Sequence, residues 1–120
     1  MREILFKGKR IDDGAWVSGF YFFDTNGGHY IQHPFETIDG EHGYKSYEVD
    51  PETVGEFTGI KDYNGRRIFE NDIVKTMYGN GVVSFSNGHF YVFVKDWGVP
   101  PVDRFMTVVG NVYDNPKILA

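Results

Sequence analysis

The sequence predicts an all-β protein: a hairpin region followed by a β-meander that curls into a small barrel. Three observations carry this. The 120 residues hold 21 aromatics and 15 glycines, about twice the usual glycine share of roughly 7%, and that pairing suits short strands joined by tight turns. Turn dipeptides recur at short, regular intervals between apolar runs. No segment sustains a 3.6-residue apolar period over ten or more residues, so helix is limited to single turns, expected at Phe69–Asp72 and near Asn115–Leu119. The same composition excludes disorder, coiled coil and collagen.

The first half reads as hairpins. Asp13-Gly14 separates Glu3–Ile11 from Trp16–Phe23 and supplies the positive φ that a tight turn needs. Asp24-Thr25-Asn26-Gly27-Gly28 then leads to His29–His33. Residues 34–52 carry six acids (Glu36, Asp39, Glu41, Glu48, Asp50, Glu52) against Lys45 alone, whereas the other 101 residues balance. With Pro34, Gly40, Gly43 and Pro51 in the same stretch, it reads as an acidic surface linker holding one isolated short strand, Tyr44–Val49. The expected division is therefore 1–52, an N-terminal β region with the linker 34–52, and 53–120, the barrel.

The second half has stronger punctuation. Asn64-Gly65 lies between Thr58–Lys61 and Arg66–Ile68. Gly79-Asn80-Gly81 lies between Ile73–Met77 and Val82–Phe85, and Ser86-Asn87-Gly88 leads to Phe90–Lys95. Trp97-Gly98-Val99-Pro100-Pro101 breaks the chain before a closing strand, Phe105–Val109. Phasing places Val54, Phe57, Ile68, Ile73, Val83, Phe85, Phe90, Val92 and Val108 in one core.

Two strands break the alternation of a sheet with one wet face. Phe20-Tyr21-Phe22-Phe23 and Phe90-Tyr91-Val92-Phe93-Val94 are apolar on both sides, so both faces should be covered. In the first of them Trp16, Phe20 and Phe22 share one face, and Val17, Tyr21 and Phe23 the other. Residues 1–33 cannot supply an interior on both sides. A second subunit is the simplest cover, and Val17, Tyr21 and Phe23 are the candidate association surface of a homo-oligomer.

Chemistry is mostly excluded. With no cysteine, disulfides, thiolate metal sites and cysteine nucleophiles cannot form. His29 and His33, four apart on a strand, stand about 13 Å from each other, too far to share a metal. Ser18, Ser46, Ser84 and Ser86 lie in no nucleophile-elbow context. Glu70 and Asp72 at a turn are better suited to binding local backbone amides than to acid–base work. No glycine-rich phosphate loop occurs. The expectation is a non-enzymatic protein with no catalytic, metal-binding or cofactor-binding residues and no cofactor. Arg2, Lys7, Lys9, Arg10, Arg66 and Arg67 form a candidate basic patch, and a small barrel with such a patch can bind nucleic acid. The net charge of -5 makes that the lesser expectation, because affinity for nucleic acid rests on neutralising phosphates. No apolar run reaches the roughly 18 residues of a membrane span, and Met1-Arg2-Glu3 opens no signal peptide, so no membrane partner is expected.

Several segments together resemble the YopX-like proteins of phages and prophages. They are Arg2 to Arg10, Asp13-Gly14-Ala15-Trp16-Val17-Ser18-Gly19, Val49 to Asp62, Asn64-Gly65, Phe69-Glu70-Asn71-Asp72-Ile73-Val74-Lys75 and the closing Val109-Gly110-Asn111-Val112-Tyr113-Asp114-Asn115-Pro116. Asn71 stands where that family usually shows Gly; Asn also tolerates positive φ, so the turn should survive. The resemblance implies an N-terminal β region concerned with association and a C-terminal SH3-like barrel. It implies a setting in the cytoplasm of a bacterial host cell, and it brings no catalytic residue. The combined expectation is a self-associating, phage-derived interaction or structural module with an unknown protein partner.

Overall fold

A computed structural model describes residues 3–119. The chain is all-β, every strand pairing is antiparallel, and the chain divides into two compact units, Glu3–Glu56 and Phe57 onward. Among the described residues no helix is long and apolar enough to cross a membrane.

In the first unit β1 (Phe6–Lys9), β2 (Trp16–Phe23), β3 (His29–Glu36) and β4 (His42–Glu48) follow one another across the sheet. The opening residues of β5 (Gly55–Lys61) pair back on β1, Gly55 with Lys7 and Glu56 with Phe6. Each turn is closed by the residue types that mark it. Asp24 accepts from the amides of Asn26 and Gly28, and Thr37 Oγ1 accepts from Glu41 N–H. β2 meets β1 with its first half, Trp16–Gly19, and β3 with its second, Phe20–Phe23. At the changeover only glycine fits: a Cβ on Gly19 would stand 2.2 Å from the carbonyl oxygen of Gln32.

The acidic stretch departs from expectation. β3 continues through Pro34 to Glu36, and β4 pairs with it over seven positions, so 34–52 is no linker with an isolated strand. Ladder hydrogen bonds satisfy the backbone whatever the side-chain composition, and most of these side chains stay exposed. Pro34 is tolerated because it lies beyond the last β2–β3 pair, Phe20 with Gln32, where no ladder bond is lost on that side. Ile31 and Val49 are fully buried in this unit, and Gly8 lies against Val49 and Val54. Thr53 Oγ1 donates to Asp50 O at 2.6 Å and accepts from Lys9 N–H at 2.8 Å, fastening the single turn Pro51–Thr53 to β1.

The second unit comprises the rest of β5, β6 (Arg67–Phe69), β7 (Asp72–Thr76), β8 (Gly79–Ser86), β9 (His89–Phe93) and β10 (Thr107–Asn111), closed by a single 3-10 turn at Pro116–Leu119. β5 pairs with β6, and the other four strands lie in the order β10-β7-β8-β9. The expected turn of helix at Phe69–Asp72 is instead a tight β6–β7 connection. Asn71 adopts φ 72° there, the conformation its amide side chain tolerates, and buried Asp72 accepts from Phe69 N–H at 2.8 Å. The segment Gly98–Pro101 folds back along β9, with Val92 N–H donating to Pro100 O.

One core unites Ile68, Val74, Val83, Val92, Val94, Val102, Met106 and Val108, with Ile60 and Phe90 against it. Phe57 and Ile73 are also buried. Two expected members differ: Val54 belongs to the first unit, and Phe85 is 49% exposed. Phe85 has the inward phase of Val83, but it sits at the hairpin end beyond the core, tilted on its cross-strand partner Phe90 at 4.9 Å. Phe90 is itself only half-buried. Phe90→Ala is therefore expected to cost about 2 kcal/mol, below the 3–5 kcal/mol of a fully buried ring, as chemical denaturation would measure. Nor does either doubly apolar strand have both faces covered within the chain: Phe93 of β9 and Phe20, Phe22 and Phe23 of β2 are exposed.

Candidate functional site

Alternation along β2 sorts its side chains cleanly. Val17, Tyr21 and Phe23 share their face with Phe6, Ile31 and Tyr47, as the pairs Phe6–Gly19, Tyr21–Ile31 and Ile31–Tyr47 require. This is the better covered face. Val17 and Tyr21 are half-buried, and Ile31 is fully buried. The Tyr21 phenol shares a 2.5 Å hydrogen bond with His29 Nδ1, and its ring lies 5.5 Å from Phe6. Of the three candidate association residues only Phe23, at 69%, is well exposed.

The opposite face is the open one. Trp16, Phe20 and Phe22 of β2 share it with Tyr30 on β3 and Tyr44 on β4. Phe20 is 50%, Phe22 42% and Tyr44 61% exposed. Phe22 stacks on Tyr30 at 5.2 Å, and Phe20 is tilted against Tyr44 at 6.5 Å. The result is a contiguous aromatic strip across three strands. Solvent-facing strips of this kind mark contact surfaces more often than scattered apolar residues do.

The candidate basic residues are dispersed. Lys7 and Lys9 lie on the strip's face with their ammonium groups 4.8 and 5.7 Å from the Trp16 ring. Arg10 is on the other face, over the Tyr47 ring at 4.3 Å and paired with Asp12 at 2.9 Å and Asp13 at 3.2 Å. Arg66 and Arg67 belong to the second unit, where Arg67 lies over Phe57. Arg2 lies outside the described residues.

Titratable groups are mostly occupied with structure. His33 Nδ1 contacts Ser18 O at 2.7 Å, and His42 lies 4.0 Å from Glu36. Among the described residues no three His, Cys, Asp or Glu side chains gather as metal ligands would. The second unit has a groove of about 300 Å³ lined by Met77, Tyr78, Pro100, Pro101, Phe105 and Met106 among others. Its charged lining residue, Asp103, accepts from Phe105 N–H.

The segments that carried the family resemblance hold turns. Asp62 Oδ1 accepts from the amides of Asn64 and Arg66, and its Oδ2 accepts from Val108 N–H. Asn71 N–H donates to Val83 O, and its side chain donates to the Tyr113 hydroxyl. Asn111 Oδ1 accepts from the amides of Tyr113 and Asp114.

A family model described as YopX protein matches residues 22–120. No curated protein matches the chain. Among solved structures, the crystal structure of protein EF1440 from Enterococcus faecalis is similar over the whole of both chains, with a TM-score of 0.65 and 19% identity. That likeness is one of fold.

Proposed function

The chain belongs to the YopX protein family, and we propose that it is a non-enzymatic, self-associating interaction module whose contact surface is the aromatic strip of its first unit. The observation that carries this reading is the exposure of Phe20, Phe22 and Tyr44 side by side on one sheet face. Covering an exposed aromatic is worth about 1.5–3 kcal/mol when complete, so half-exposed rings in a row give a second copy several kcal/mol to gain. A two-fold contact presents the same strip to itself, which makes the surface its own complement. The resemblance to phage and prophage proteins supports a role in the cytoplasm of a bacterial host. The nucleic-acid reading has less support, since the basic side chains are divided between faces and units and Arg10 is paired with two carboxylates.

Sedimentation of the full chain tests this. The wild type is expected to sediment at about twice 13.8 kDa at micromolar concentration. Phe20→Glu combined with Phe22→Glu should leave a folded monomer, because both side chains already face solvent. A wild-type monomer, or a double variant that still associates, would overturn the proposal.

A further inference from the structure

A strand at the rim of a sheet leaves a row of backbone groups open to another chain unless something covers it. In the second unit both outer strands of the four-stranded sheet are covered. Residues 98–101 lie along β9, with Val92 N–H donating to Pro100 O and Val94 N–H to Gly98 O. At β10, Val108 N–H donates to Asp62, and Met106 O just before it accepts from Tyr63 N–H. In the first unit the outer strand is β4, and among the described residues no strand lies along its outer side. Its hydrogen-bond phase is fixed at both ends, where Val49 N–H donates to His29 O and Thr37 N–H to Glu41 O. Gly43, Lys45 and Tyr47 therefore turn their N–H and C=O groups to β3, and His42, Tyr44 and Ser46 turn theirs outward. The usual protections are missing. β4 has no proline, and its pairing with β3 runs without a bulge. Its one lysine, Lys45, lies over the Tyr47 ring at 5.3 Å. The open edge stops at Glu48, whose carbonyl accepts from Ile11 N–H at 3.0 Å. There a hollow of about 410 Å³ lies between residues 10–12 and residues 45–48.

We infer that the free edge of β4 receives an extended, basic segment of a partner protein as an added outer strand. The segment's main chain bonds to His42, Tyr44 and Ser46, and its end enters the hollow beside residues 10–12. This goes beyond the proposed self-association, because these backbone groups lie in the plane of the sheet and the aromatic strip lies on its face. Shape and charge choose the occupant. The β4 of a second copy, laid antiparallel, would carry its own hairpin tip, residues 37–41, onto the turn at residues 10–12. A linear segment can stop short of that turn. The other end of the edge is acidic: Glu36, Asp39 and Glu41 are exposed, and residues 34–44 contain no Lys or Arg. Lysine or arginine in the added segment meets opposite charge there, which speeds encounter and excludes acidic competitors.

The experiment titrates the full chain with a fluorescein-labelled peptide of about seven alternating valines and lysines, long enough to span β4, and reads fluorescence anisotropy. Saturable binding is expected, weakening several-fold from low to high ionic strength. The same peptide N-methylated at every residue keeps its charge but loses its main-chain donors, and should bind roughly tenfold more weakly. Ser46→Pro removes an outward N–H and sets a ring across the edge while leaving the β3 ladder intact. By circular dichroism it should stay folded, and it should lose binding to a similar extent. Glu36→Gln with Asp39→Asn and Glu41→Gln should weaken binding several-fold and remove most of the salt dependence. The N-methylated peptide decides the matter if Ser46→Pro impairs folding. Failure of the wild type to bind, equal binding of the N-methylated peptide, or a folded Ser46→Pro protein that binds as tightly as wild type would overturn the inference. So would an edge taken by a second copy: a Phe20→Glu, Phe22→Glu protein that stays dimeric and becomes monomeric when Ser46→Pro is added.

Discussion

Asp62→Asn is expected to cost about 3 kcal/mol of stability, because one buried carboxylate closes two distant parts of the second unit. Asp62 is 5% exposed and binds three backbone amides: Asn64 and Arg66 in the β5–β6 turn, and Val108 in β10, 46 positions away. Asparagine keeps the shape but turns an NH2 toward at least one of these N–H groups, leaving a buried donor facing a donor. Burial pushes the carboxyl pKa up; the amides of Val108, Arg66 and Asn64, helped by the Arg66 guanidinium, outweigh it and hold the group below its ordinary value. A carboxyl depressed in the folded state stabilises fully above its unfolded pKa, near 3.9. That contribution is lost as pH falls through the folded value. Urea unfolding at pH 7 and again near pH 3 should show the wild type losing stability on acidification, and the Asn variant losing less. An unchanged midpoint in the variant at pH 7 would refute the assignment.

Gly19→Ala should be comparably damaging in the first unit. The added methyl would meet the Gln32 carbonyl oxygen at 2.2 Å, and φ of 158° is a backbone conformation that other residues rarely adopt. The obstacle is main chain rather than a flexible side chain, so β2 and β3 must separate to admit it. Overpacking of this kind costs about 3 kcal/mol and should lower the melting temperature by roughly 10 °C. The aromatic strip spans that seam through Phe22 on β2 and Tyr30 on β3. The proposed self-association should therefore weaken along with stability. A Gly19→Ala protein with wild-type melting would show that the strands can accommodate a side chain there.

Much of this architecture was legible in local sequence. The turns at Asp13-Gly14 and Asn64-Gly65 appear where their dipeptides predict them, and Asn71 takes the positive φ expected of it. The division of β2 into a Trp16–Phe20–Phe22 face and a Val17–Tyr21–Phe23 face was legible too, since side-chain direction in a strand depends only on parity. Strand ends were less so. Pro34 read as a stop, yet β3 runs through it, because the cost of a missing N–H depends on whether another strand waits on that side. Phe85 read as core from its phase, but phase does not say where along a hairpin the core ends.

By itself, then, the sequence determined the all-β class, turns such as Asp13-Gly14 and Asn64-Gly65, the two faces of β2 and the family, all of which follow from backbone preferences and spacing between near neighbours. The Gly79-Asn80-Gly81 turn it suggested lies instead within β8, after a turn at Met77-Tyr78. Only the tertiary structure decided which face of β2 remains open. It also decided that Lys7 and Lys9 share that face while Arg10 does not, and that Asp62 answers an amide 46 positions away. Those facts depend on which strand lies beside which. Pairing between distant segments is chosen by the summed burial and hydrogen bonding of the whole sheet, a quantity that no local window of residues contains.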